Sequence, residues 1–106
     1  MSRGIELYQT DSGNRPVAKF IADLKSGEQV KIARSFDLLE EYGPEIGMPY
    51  IKLLPGTGGL WELRVPFGGQ LLRLLFFIEG NLLVMVHAFF KKTAKTPLKE
   101  MRQLTG

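Results

Sequence analysis

Residues 60–97 read LWELRVPFGGQLLRLLFFIEGNLLVMVHAFFKKTAKTP. Three runs with strand periodicity are separated by short turn signals, PFGG at 66–69 and EGN at 79–81, and the last run leads into a cluster of lysines. Connections this short join antiparallel neighbours, so residues 60–65, 70–79 and 81–90 are expected to form a meander. Successive strand side chains alternate, which puts Trp61, Leu63 and Val65 on one face of the first run and Glu62 and Arg64 on the other. In the second run Leu72, Leu74, Phe76 and Ile78 make an unbroken apolar face, with Arg73 on the opposite side beside Leu71, Leu75 and Phe77. In the third, His87, Phe89 and Lys91 share a face.

Working back toward the N-terminus, residues 5–9 read as a first strand. Residues 14–26 carry Val17, Phe20, Ile21 and Leu24 at helical spacing, with Asn14 as a cap and Pro16 in the first turn. Ser26-Gly27 reads as a break before a second helix that runs to about Tyr42, with Ile32, Ala33, Phe36 and Leu39 as its buried stripe and Gly43-Pro44 as its stop. A strand near 51–54 and the turn PGTGG at 55–59 lead into the meander, and Thr96-Pro97 opens a helix carrying Leu98, Met101 and Leu104. The expected fold is α+β: an N-terminal helical hairpin packed on a mostly antiparallel sheet of about four strands, with a short C-terminal helix, all in one domain spanning residues 1–106.

Composition removes several classes of chemistry. With 44% hydrophobic and 24% charged residues the chain supports one soluble core. It has no cysteine and one histidine, so a thiol nucleophile, a disulfide framework and a His/Cys metal site are all excluded. The serines that a Ser-His-Asp arrangement would need all lie in the acidic first half, and no GK[ST] follows the glycines at 56–59, so these do not form a phosphate-cradling Walker loop. The opening MSRGIELYQT lacks the apolar run of a signal peptide, and Arg73, Glu79, Gly80 and Asn81 interrupt the greasiest segments. A cytoplasmic, non-membrane protein with no metal and no small-molecule cofactor is expected.

Charge is distributed unevenly. Residues 1–50 hold six Lys/Arg against eight Asp/Glu, a net −2, while residues 51–106 hold eight against three, a net +5. The second half therefore attracts a polyanion, and its cations sit on strand faces and at a strand end, where a phosphate backbone can lie. Each cation also has an ordinary structural explanation. Arg64 and Arg73 are explained equally by a cross-strand ion pair with Glu62, His87 by hydrogen-bonded packing, Trp61 by the core, and the lysine run by protection of a sheet edge.

With LWELR, then a strand containing RLLF, then HAFFKKTAKTP, the sequence resembles the RelE/ParE superfamily of bacterial toxins, in its phage-type HigB-like branch. The resemblance implies a RelE-like toxin of a type II toxin–antitoxin system. Such a toxin is an RNA endonuclease that cleaves mRNA on the ribosome and is neutralised by a small helix-turn-helix antitoxin. Residue by residue, it implies catalytic roles for Arg64, Arg73, Lys91 and Lys92, and RNA contact by Lys52 and Thr93; His87 and Phe89 on the last strand's face and Lys95 beyond its end are expected to add RNA contacts. The implied reaction is attack of a ribose 2′-hydroxyl on the adjacent phosphodiester. It needs deprotonation of that hydroxyl, cations on the phosphoryl oxygens and protonation of the departing 5′-oxygen. On this reading, removing the charge of Arg64 or Arg73 abolishes growth arrest and leaves the fold intact. Two alternatives stay open: a ParE-like toxin that poisons gyrase through protein contact, and an inactive relative that only binds nucleic acid.

Overall fold

A computed structural model of the chain describes residues 3–67 and 69–91, Lys91 by its backbone alone. The elements run in the order β1 (Gly4–Leu7), α1 (Pro16–Ala22), α2 (Ser26–Tyr42), a 3-10 turn (Gly43–Ile46), β2 (Ile51–Leu53), β3 (Trp61–Phe67), β4 (Gln70–Glu79) and β5 (Leu82–Lys91). The five strands form one mixed sheet in the order β1-β5-β4-β3-β2. β2, β3, β4 and β5 pair antiparallel, as short turns require, while β1 joins the far side of β5 in parallel.

This corrects the expected architecture in two respects. The sheet has five strands rather than about four, because β1 is a full member of it. The turn signals between 60 and 90 reveal antiparallel neighbours only, whereas a parallel partner arrives by a crossover connection that leaves no local mark. The helices are also not an N-terminal hairpin. They follow β1, α1 is only seven residues long, and each packs on strands: α1 on β5 and β1, α2 on β3 and β1. Ser26 opens α2 rather than separating the helices, and the chain turns at 23–25, where the Lys25 backbone N–H donates to Glu28 Oε1 at 3.0 Å. Asn14 is not the cap of α1, whose boundary residue is Arg15 without a side-chain capping bond. The expected C-terminal helix falls outside the described residues.

The inner face of the sheet carries the main core. Leu63, Val65, Leu72, Leu74, Phe76, Leu83 and Met85 meet Val17, Ile32 and Leu39 from the helices, with Trp61, Phe20 and Phe90 packed around them. Trp61 stacks on Phe76 with ring centroids 6.4 Å apart, consistent with its reading as a core residue. β4 is the central strand, and seven of its ten residues, QLLRLLFFIE, are apolar, in keeping with burial of its middle residues on both faces.

The turn between β2 and β3 is closed by Thr57, buried at 8% exposure. Its Oγ1 donates to the Leu54 carbonyl at 2.6 Å and accepts from the Leu60 N–H at 3.1 Å. Replacing that hydroxyl with a methyl group leaves a buried N–H and a buried carbonyl without their partner. Thr57→Val is therefore expected to lower stability by about 1–3 kcal/mol, measured as a shift in the urea midpoint at unchanged slope.

A single irregularity decides what lies on the outer face. The register of β4 with β5 shifts between Leu75 and Phe76, so that Leu75 faces His87 and Phe76 faces Met85, and Val86 is inserted between them. Strict alternation would put Leu83, Met85, His87 and Phe89 all on one side. The bulge changes the phase, so Leu83 and Met85 enter the inner core while His87 and Phe89 turn outward.

Candidate functional site

On the outer face the register sets up two neighbouring rows. One runs Lys52, Glu62, Leu75, His87, and the next runs Arg64, Arg73, Phe89. Two arginines directly opposite each other on an antiparallel pair repel. Here they share an anion: Arg64 Nε donates to Glu62 Oε1 at 2.7 Å and Arg73 Nη1 donates to Glu62 Oε2 at 3.4 Å. Glu62 sits one pleat away on the same face as both, so its two oxygens can be divided between two guanidiniums.

The three members differ in their access to water. Glu62 and Arg73 are fully buried at 0% exposure, whereas Arg64 retains 15%. A charge withdrawn from water is costly unless it is paired. Arg73 and Glu62 thus form an ionic base inside the domain, and Arg64, anchored to it through Nε, keeps partial exposure. The expected Glu62 ion pair is present, and through it Arg73 becomes part of the interior. Removing its charge while Glu62 stays in place is therefore expected to lower stability.

The other candidates fall in distinct settings. Lys52 is exposed, opposite Glu62 on the edge strand β2. His87 is half-buried with its ring 5.4 Å from that of Phe89, tilted by 34°. Phe89 itself is buried in a small outer cluster with Leu54, Leu60 and Leu75, which leaves it little face for a stacked base. Lys91 lies opposite Leu71 in the register, and Lys92, Thr93 and Lys95 lie outside the described residues. Sequence patterning placed Arg64 and Glu62 on one strand face and suggested their ion pairing, but not how deeply Glu62 is buried, which no local signal encodes. Among the described residues no three His, Cys, Asp or Glu side chains converge as metal ligands, and no helix is long and apolar enough to cross a membrane.

The sequence profile of the family described as "Phage derived protein Gp49-like (DUF891)" matches residues 19–105. The chain belongs to that family. Gp49-like proteins are a phage-derived family associated with toxin–antitoxin systems, which makes an antitoxin the partner class for this Gp49-like chain. Neither a curated protein nor a solved structure matches it. The matched span runs from α1 through β5, so it includes Lys52, Glu62, Arg64, Arg73 and His87.

Proposed function

We propose that the chain is the toxin of a type II toxin–antitoxin system, acting as a ribosome-dependent mRNA endonuclease that uses the outer face of its sheet. The observation that carries this reading is the Arg64–Glu62–Arg73 arrangement, which anchors one guanidinium on the sheet face that also carries Lys52 and His87. A cation held in advance where phosphoryl charge develops stabilises a transition state without reorganising when the reaction occurs. Arg64 is the phosphate clamp. Arg73 acts through Glu62 as its positioning residue. Lys52 contributes charge to the phosphate path, and His87 offers a ring nitrogen for proton transfer or a ring face for a base. Lys91 and Lys92 keep the catalytic roles, and Thr93 and Lys95 the RNA contacts, expected of them from the sequence. The substrate is mRNA held on the ribosome, and the neutralising partner is a helix-turn-helix antitoxin.

Induced expression with primer-extension mapping of cellular transcripts tests this. New 5′ ends inside translated reading frames are expected within minutes of induction. Growth arrest with DNA-damage signalling and intact transcripts would transfer the assignment to the gyrase-poisoning alternative.

A further inference from the structure

Past the arginine row the outer face opens into a groove of about 560 Å³ lined by Tyr8, Thr10, Pro16, Phe77, Glu79, Val84 and Val86. Phe77 stands two positions along β4 from Leu75, whose cross-strand partner is His87. Side chains two apart on a strand share a face at ~7 Å spacing, so the groove begins one such step from His87 and two from Arg73. The inserted Val86, next to His87, is part of its wall. The cationic row and the groove are therefore successive stations along one face.

Its lining has a definite chemistry. Tyr8 is 42% exposed, and Phe77, Val84 and Val86 are half-buried, giving apolar walls open to solvent. Thr10 is already engaged, its Oγ1 accepting from the Asn14 N–H at 3.0 Å and lying 3.1 Å from Ser12 Oγ. The charged group among the described lining residues is the exposed carboxylate of Glu79, an acceptor with two oxygens and no proton to give. Apolar walls bounded by an acceptor fit a planar ring whose edge carries adjacent N–H donors. Among RNA bases that edge is guanine's, where N1–H and N2–H stand side by side and match the two carboxylate oxygens. Adenine and cytosine each offer one amino group beside an acceptor nitrogen, and uracil's single N–H lies between two carbonyls. Arg15, adjacent to Pro16, donates Nη2 to the Leu7 carbonyl at 3.4 Å, which places a cation at the β1 lip of the groove.

We propose that this groove is a guanine-binding subsite that seats one base of the RNA, Tyr8 and Phe77 stacking on the ring and Glu79 reading its donor edge. The proposal rests on the outer face being the RNA path and adds which base that path prefers. Its test uses the full chain and two fluorescein-labelled hexaribonucleotides, UUUGUU and UUUAUU, compared by fluorescence anisotropy. A bidentate base contact discriminates by about fivefold to a hundredfold, and tighter binding of the guanine oligonucleotide within that range is expected. Glu79→Gln should bring the two affinities together, removing the ratio between the guanine and adenine oligonucleotides. Tyr8→Ala should weaken both by roughly fivefold or more, and Tyr8→Phe should restore both. Equal binding of the two oligonucleotides, no binding of either, or a preference that survives Glu79→Gln overturns the subsite. Transcript cleavage measured with the same preparations separates the two readings: cleavage without guanine preference removes the subsite alone, and guanine preference without cleavage removes the endonuclease reading alone.

Discussion

Glu62→Gln should lower the unfolding free energy of this domain by about 3–5 kcal/mol, the usual cost of removing one partner from a buried ion pair. The substitution keeps the shape of the side chain and removes only its charge. It takes away the anion bound by Arg64 Nε and Arg73 Nη1 and leaves Arg73, fully buried, to carry its charge without that carboxylate. Domains of this size are stable by roughly 5–15 kcal/mol in total, so the loss is about a fifth of the reserve or more, read as a fall in Tm exceeding about 10 °C. The double change Glu62→Met with Arg73→Met should recover most of it, because buried ion pairs replaced by apolar groups of similar volume are often neutral or better. Urea denaturation of the two single variants and the double gives the coupling energy directly. A Glu62→Gln loss under 1 kcal/mol would mean that solvent reaches the pair, and the rigid ionic base described above would not exist.

What the sequence made legible follows from what is local. The alternation in LWELR and QLLRLLFFIE placed Glu62, Arg64 and Arg73 on one face, since a two-residue period needs no knowledge of the rest of the fold. The glycine-bearing turns at 66–69 and 79–81 gave the order of β3, β4 and β5 for the same reason. Three things stayed hidden because each depends on partners distant in the chain. The parallel pairing of Ile5 with Leu83 and Leu7 with Met85 is separated by both helices and three strands. The bulge at Val86 interrupts an apolar run, LLVMV, in which every register looks equally good, so only the packing of Leu83 and Met85 into the core selects it. The depth of the Glu62–Arg73 pair reflects how much covers the sheet, which an ion-pair signature such as E-x-R does not encode. The start of α2 at Ser26 was misread because Ser-Gly favours turns, whereas here Glu28 caps the preceding backbone and the helix begins at the serine.

Arg64→Ala should abolish toxicity in a protein that still folds. Arg64 keeps a window to solvent, and losing its side chain leaves Glu62 with Arg73 as a buried pair. The thermal unfolding midpoint should therefore fall far less than in Glu62→Gln. Loss of one preorganised donor to a developing oxyanion slows reaction by about a hundredfold to a thousandfold, and cleavage of a message in a reconstituted translation reaction should fall by that factor. Arg64→Lys keeps the charge but not the planar fork whose Nε holds Glu62, so it should restore only part of the rate. The Glu62→Met, Arg73→Met double variant then separates positioning from charge. It retains Arg64 and, by the stability argument, retains the fold, yet Arg64 has lost its anchor. Misplacement of a catalytic group by about 1 Å can cost on the order of a hundredfold, so cleavage in the double variant should drop in its maximal rate while the affinity for ribosomes holds. A folded double variant that cleaves at the wild-type rate would show that Arg64 needs no support from beneath, and the assignment of Arg73 as its positioning residue would fall while Arg64 itself could stand.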